Sequence, residues 1–401
     1  MTIEEPTQRA SIVLALVAGL IAAAHVGKLP PALPAIRAEL GLDLVTAGWL
    51  ASMFSATGMI TAVFLGAAAD RLNHRRLAVG GLVLMAISGA CGSLARDAAQ
   101  LIATRFVEGI GFLAVVVAAP SIIADAASGR ERALALGLWP GYMPGGISIM
   151  ILAAPLILLA GGWRLLWVVL AAAAAAGAVL MLLSGWSARE RQIAAAGAAF
   201  WSNLRVVSAR PGPWLLGGCF ALYGAQFYAI ITWMPTFMIE ERGTEPATAA
   251  ALTTLVVVVN GLCNVLGGWL LHRGVRPWVM IAASGTVMTI SAFGAFSIAV
   301  ADIARYGFAV ALCGAGGVVA SALFAVAPLF AATPAQTGTV NGILVQASNL
   351  AQFAGPTALA AGASRSGRWE SALWPMVVVD LLVIALAVLV HRQERMLAAP
   401  A

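Results

Sequence analysis

Four ionisable side chains lie inside stretches otherwise built for lipid. His25 and Lys28 are three residues apart in "AHVGKLPPALPAIR" (24–37), and Lys28 is the only lysine in the chain. Arg105 and Glu108 repeat that spacing in a second apolar stretch. Residues three apart share a helix face. A charge at mid-bilayer costs at least ~2.5–3.5 kcal/mol, so it faces a cavity or a partner. At 1.5 Å per residue, Lys28 falls roughly 12 Å and His25 roughly 16 Å from the outer end of their stretch. Arg105 and Glu108, on a stretch running the other way, fall roughly 10 Å and 15 Å below the same surface.

Two permanent cations against one carboxylate leave one positive charge with His25 neutral. That excess points to an anionic solute, most simply a carboxylate, held by the compact ammonium of Lys28. A static pair of Glu108 with Arg105 or Lys28, fixing helix packing, is the alternative. A further option is that Lys28 snorkels outward past Pro30 and Pro31. Glu108 and His25 are the two candidates to carry a coupling proton.

The elements that position these residues follow from composition. Hydrophobic residues make up 61% of the 401 and charged residues 10%, against ~25% charged in soluble domains. The expected class is an all-α polytopic membrane protein. Lengths near 20 apolar residues suit helices and exceed barrel strands. Twelve spans are expected, at 11–36, 45–68, 77–95, 98–122, 133–160, 163–185, 213–239, 246–271, 277–299, 303–330, 335–361 and 370–390. The first is too long for a signal-peptide core and is expected to be retained. One side of this topology holds Arg9, Arg71, Arg75, Arg76, Arg130, Arg132, Arg189, Arg191, Arg205, Arg210, Arg273, Arg276, Arg392 and Arg395, twice as many basic residues as the other. The positive-inside rule then places both termini in the cytoplasm of a bacterial inner membrane. The net charge of +6 is scattered in short loops, which argues for topology and against nucleic acid. Cys91, Cys219, Cys263 and Cys313 all fall in spans without metal-finger spacing, so free thiols are expected.

The chain reads as two halves. The expected division is an N-terminal six-helix bundle (1–185), an amphipathic cytoplasmic linker (186–212) and a C-terminal six-helix bundle (213–401). At a constant offset Pro34 falls on Pro235, Gly66 on Gly267 and Arg75 on Arg276, while Trp163 and Trp369 each open the sixth span of their half. Parallel repeats of this kind suggest two pseudo-symmetric six-helix bundles with a solute site between them, near the midplane.

Three motifs resemble those of the major facilitator superfamily. After span 2 the chain reads G66-A-A-A-D70-R71-L-N-H-R75-R76, similar to G-x-x-x-D-R-x-G-R-[KR]-[KR], with Asn73 for the second glycine and His74 for an arginine. Span 4 carries R105-x-x-E108-G109-x-G111, and span 5 carries P140-G-Y-M-P144-G145-G146, the latter similar to a motif of many exporters. The resemblance covers the whole chain. It implies a secondary transporter that alternates access by rocking two bundles, with spans 1 and 4 of each half lining a central cavity. Asp70 near the helix that starts at Pro334 gains ~0.3–1 kcal/mol from the helix dipole. With Arg71, Arg75, Arg130 and Arg132 it is expected to latch an inner gate.

The second half offers neutral groups. Gln226 stands at the repeat position of His25, and Ala229 replaces Lys28. Tyr223, Tyr228 and Trp233 surround it; Asn260 and Asn264 share a face, as do Gln346 and Asn349. Such a wall suits the apolar or hydroxylated body of a small anion, although amides also glue helices together at ~0.6 kcal/mol each. Asp380 reads as a paired structural residue, with a proton role as the lesser option. The expected function is proton-coupled uptake of a small organic anion by a monomer. Alternatives are a proton-antiport exporter of drugs or metabolites and a copper importer. Met234 and Met238 would be the soft ligands of the latter, but that branch pairs them with H-x-x-x-M on span 8, where Asn260 and Asn264 are here the nearest polar pair. A non-transporting sensor is the least favoured reading. No phosphate-binding loop, dinucleotide loop, zinc-protease motif or nucleophile elbow is present, so no enzyme and no cofactor are expected.

Overall fold

Each of the twelve expected spans falls on a helix. A computed structural model describes residues 8–69, 73–184, 196–297, 299–331 and 333–398 of the chain, apart from the side chains at 61–69, 129, 130, 133, 137, 196–201, 334, 335, 397 and 398. The helices are α1 (Arg9–Gly27), α2 (Leu29–Leu40), α3 (Leu44–Ala69), α4 (His74–Ser93), α5 (Ala98–Ala126), α6 (Gly129–Leu138), α7 (Tyr142–Leu183), α8 (Ala196–Ser208), α9 (Pro211–Glu240), α10 (Pro246–His272), α11 (Pro277–Phe296), α12 (Asp302–Val326), α13 (Pro334–Ser366) and α14 (Leu373–Ala398). Among the described residues there is no strand. Among the described residues nine stretches are long and apolar enough to cross a membrane, one of them the 50-residue run Leu134–Leu183 that carries two expected spans. α3 and the 33-residue α13 carry the other two.

Interruptions in these helices have local causes. Pro30 and Pro31 cannot donate to the carbonyls four residues back, and helix α1 passes to α2 at Lys28. In α7, Gly161 and Gly162 leave helical geometry, Gly162 at φ 67° and ψ −171°, a region open only to glycine. That break separates spans 5 and 6 and releases Trp163 and Arg164 to bind Glu39, Trp163 Nε1 donating to Glu39 at 2.7 Å. The second half repeats the device: Gly367 at φ 68° ends α13 just before Trp369. Helix α8 occupies the C-terminal part of the expected linker, whose residues 186–195 lie outside the described ones.

The helices form two compact units. One gathers the described residues of Met1–Asp43, Ala56–Gly197 and Met238–Thr254. Its core includes Leu82, Met85, Val115 and Ile122, all essentially without exposure. A Cβ on Gly27 would stand 2.8 Å from the Ile147 carbonyl, so α1 and α7 meet backbone to backbone there. The proline-glycine motif of span 5 serves the same contact, Gly145 facing Leu20 and Gly146 facing Ala23. The other unit gathers the described residues of Leu44–Ser55, Ala198–Phe237 and Leu255–Ala401, around a core that includes Leu216, Met288, Leu323 and Leu344.

Candidate functional site

His25, Lys28, Arg105 and Glu108 meet inside the first unit. All four side chains are 0% exposed. Lys28 Nζ donates to Glu108 Oε1 at 2.5 Å, and Arg105 Nη1 donates to Glu108 Oε2 at 2.7 Å and to the His25 carbonyl at 2.8 Å. Glu108 therefore carries a cation on each oxygen, a charge-assisted arrangement that offsets the desolvation of both. Lys28 does not snorkel: its ammonium stands 4.3 Å from the centre of the Trp167 ring, a cation–π contact strengthened by desolvation.

His25 links the cluster to span 6. Its Nε2 lies 3.3 Å from the Leu170 carbonyl, and its Nδ1 lies 3.1 Å from Glu108 Oε1 and 3.4 Å from Lys28 Nζ. The roles of the two ring nitrogens follow the tautomer: with its hydrogen on Nδ1 the neutral ring donates to Glu108, and with it on Nε2 the ring donates to the Leu170 carbonyl and accepts from Lys28. With His25 neutral the four groups sum to one positive charge, and with it protonated to two.

The shell around this cluster escaped sequence reasoning. Trp167 packs edge-on against Trp163, their centres 5.4 Å apart. Gly89 of α4 leaves room for the carboxylate, since a Cβ there would lie 3.3 Å from Glu108 Oε1. Trp167 is one helical turn beyond Trp163, a spacing that places both on one face. Also in this unit, Arg37 Nη1 donates to both oxygens of Glu240 at 2.6 Å.

The neutral residues lie in the second unit and turn most of their hydrogen bonds inward. Asn260 Nδ2 donates to the Tyr223 hydroxyl at 2.9 Å and to the Cys313 carbonyl at 2.6 Å. Trp233 Nε1 donates to the Pro356 carbonyl at 2.9 Å. Gln226 Nε2 donates to the Met376 carbonyl and to Asp380 Oδ1, both at 3.0 Å. Asp380, expected to be paired, thus has an amide as its partner. Gln346 and Asn349 are half-buried and Asn264 is exposed. Met234 and Met238 are half-buried, Met234 packed against the apolar core.

Of the expected gate, Asp70 and Arg71 lie outside the described residues, as does the side chain of Arg130. Arg75 donates from Nε and Nη2 to the Met181 carbonyl and from Nη2 to Leu182, closing the C-terminal end of α7. Asn73 is the N-cap of α4, its side chain accepting from the backbone N–H of Arg75 at 3.0 Å and of Arg76 at 3.3 Å.

The profile of the Major Facilitator Superfamily matches residues 14–356. The chain belongs to that superfamily. It is a multi-pass membrane transporter with the all-α superfamily fold, not an enzyme. It is 26% identical over 371 residues to the 3-(3-hydroxy-phenyl)propionate transporter of Escherichia coli, covering 90% of this chain and 88% of that one. It is 24% identical to the nitrite extrusion protein of Bacillus subtilis, covering 84% and 83%. Against two uncharacterized MFS-type transporters of Mycobacterium tuberculosis, 30% identical over 159 residues, the match spans only 22% of their length. Among solved structures, an inward-facing, unoccupied bacterial homologue of the human lysosomal transporter Spinster shares the fold at TM-score 0.82, with 18% identity and 98% of each chain covered.

Proposed function

We propose that this transporter moves a small organic anion, most simply a carboxylate, together with protons. The observation that carries the reading is the charge balance of the buried cluster: Lys28 and Arg105 stand against the single carboxylate of Glu108, all at zero exposure. In a low-dielectric interior an uncompensated charge acts over several ångströms, so the cluster attracts an anion without touching it. Two relatives are named for anions, a hydroxyphenylpropionate and nitrite, which supports the same class. His25 and Glu108 would hold the coupling proton between them. A proton there raises the local positive charge, so anion and proton favour each other's binding, the linkage that symport requires.

In this proposal Tyr223, Gln226, Trp233, Asn260, Asn264, Gln346 and Asn349 furnish the neutral face of the substrate region. Asp70, Arg71, Arg75 and Arg130 form the inner latch, and the bundles 1–185 and 213–401 are the moving bodies on either side of the 186–212 linker.

The test is a thermal-shift screen of the purified protein against carboxylates, phosphates, cationic drugs and Cu(I), run in parallel on Lys28→Ala. Stabilisation by carboxylates that disappears in the variant is the expected result. Stabilisation by cations or copper, or an anion effect indifferent to Lys28, would overturn the proposal.

A further inference from the structure

The second unit buries a carboxylate in a quite different way. Asp380 is 0% exposed. Its Oδ1 accepts from Gln226 Nε2 at 3.0 Å, and its Oδ2 is buried with no hydrogen-bond partner among the described residues. Gln226 is in the same position: both hydrogens of its amide are used, on Asp380 and on the Met376 carbonyl, and its Oε1 is a second buried acceptor without a donor. Two neighbouring side chains thus present two orphan acceptors. The pair is one hydrogen short.

Among the described residues no cation is paired with Asp380. From α9 the group facing it is Gln226, with Tyr223 one turn before and already bonded to Asn260. Helix α11, which packs on α14 with Gly285 beside the Asp380 backbone, carries no ionisable residue from Pro277 to Phe296. On α14 itself the nearest ionisable groups are His391 and Arg392, three turns or more away. At the other end Glu370 is bound to Arg305. An isolated carboxylate in such surroundings takes a proton rather than remain charged.

The internal repeat gives this pair a counterpart. Gln226 stands at the repeat position of His25. Leu170, whose carbonyl lies against His25, is seven residues beyond Trp163, and Met376, whose carbonyl accepts from Gln226, is seven beyond Trp369. The same contact between the first and sixth spans therefore recurs in both units, each time with a carboxylate on the linking side chain. In the first unit Lys28 and Arg105 donate to the carboxylate of Glu108, whereas Ala229 stands at the repeat position of Lys28 in the second.

We infer that Asp380 and Gln226 form a second proton-binding site, in which the Asp380 carboxyl takes up a proton on Oδ2 and releases it as pH rises. The ligand is the proton itself; no other group enters. The inference is independent of the anion proposal and of any role of the first cluster.

Infrared difference spectroscopy of the purified full chain, titrated from about pH 5 to about pH 9, tests it without a substrate. The expected result is a neutral-carboxyl C=O band that bleaches with rising pH, is missing from Asp380→Asn and is shifted in Asp380→Glu. Spectra identical in wild type and Asp380→Asn at every pH would overturn the site. So would a band that persists unchanged to the alkaline limit. Asp380→Asn keeps the shape of the neutral acid, and should it not fold, the displaced band of Asp380→Glu decides.

Discussion

The His25–Lys28–Arg105–Glu108 cluster and the Gln226–Asp380 pair occupy related places in the two units, yet they solve the burial of charge in opposite ways. In the first, Glu108 is held by two cations, and the surplus is positive. In the second, Asp380 has one amide donor and, among the described residues, no ion partner. The difference shows that a repeat keeps its helix contacts while its electrostatics diverge. The imidazole-to-carbonyl contact of span 1 on span 6 survives as an amide-to-carbonyl contact, whereas the charges do not. One unit then supplies a positive field, and the other a neutral surrounding with a carboxyl to protonate.

The largest expected effect comes from removing the centre of the first cluster. Glu108→Gln leaves Lys28 and Arg105 buried without a counter-charge, and stability should drop by about 3–5 kcal/mol, seen as a lowered melting point in detergent. Asp380→Asn must behave differently if the comparison is right. It should melt with wild type at acid pH and above it at alkaline pH, because only wild type must then carry an uncompensated charge or hold its proton against the bulk. A variant that melts well below wild type at alkaline pH would show that the second carboxyl is an ion held by some unrecognised partner.

Much of the first site is legible in the sequence. In apolar helices a polar residue is conspicuous, the three-residue spacing fixes its face, and 1.5 Å per residue fixes its depth, which together brought His25, Lys28, Arg105 and Glu108 to one level. The fold was legible for the same reason, since span length and the six-plus-six pattern survive without knowledge of packing. The Gln226–Asp380 pair was not. Its members are on separate spans, and the rotational register of two apolar helices depends on small-residue contacts, such as Gly285 on α14, that no periodicity reveals. Trp167 was missed because tryptophan in a span reads as filler. Its use as a cation's partner depends on Lys28 turning inward. The capping role of Asn73 was not read from the motif, although a side-chain oxygen just before a helix is its sequence sign.

Smaller effects sharpen the contrast. Gly27→Val drives a side chain into the Ile147 backbone and should cost about 1–3 kcal/mol; measured with the first cluster intact, it gauges how tightly α1 is held to α7. Trp167→Leu should cost about 0.5–2 kcal/mol more than Trp167→Phe, which keeps an aromatic face for Lys28; equal losses in melting would reduce the contact to packing. Arg75→Ala removes a cation from the C-terminal end of α7 and should cost about 0.3–1 kcal/mol, a loss that added salt diminishes.

The central claim is that the first unit's surplus positive charge recruits an organic anion. Its most direct test is uptake of a panel of radiolabelled small carboxylates into proteoliposomes under an imposed inward proton gradient, comparing wild type with Lys28→Gln at matched folding. The account predicts accumulation in wild type that stops when the gradient is collapsed, and a fall of at least about tenfold in the variant, equivalent to about 1.4 kcal/mol. Equal uptake by Lys28→Gln, or the accumulation of cationic but not carboxylate solutes, would contradict it.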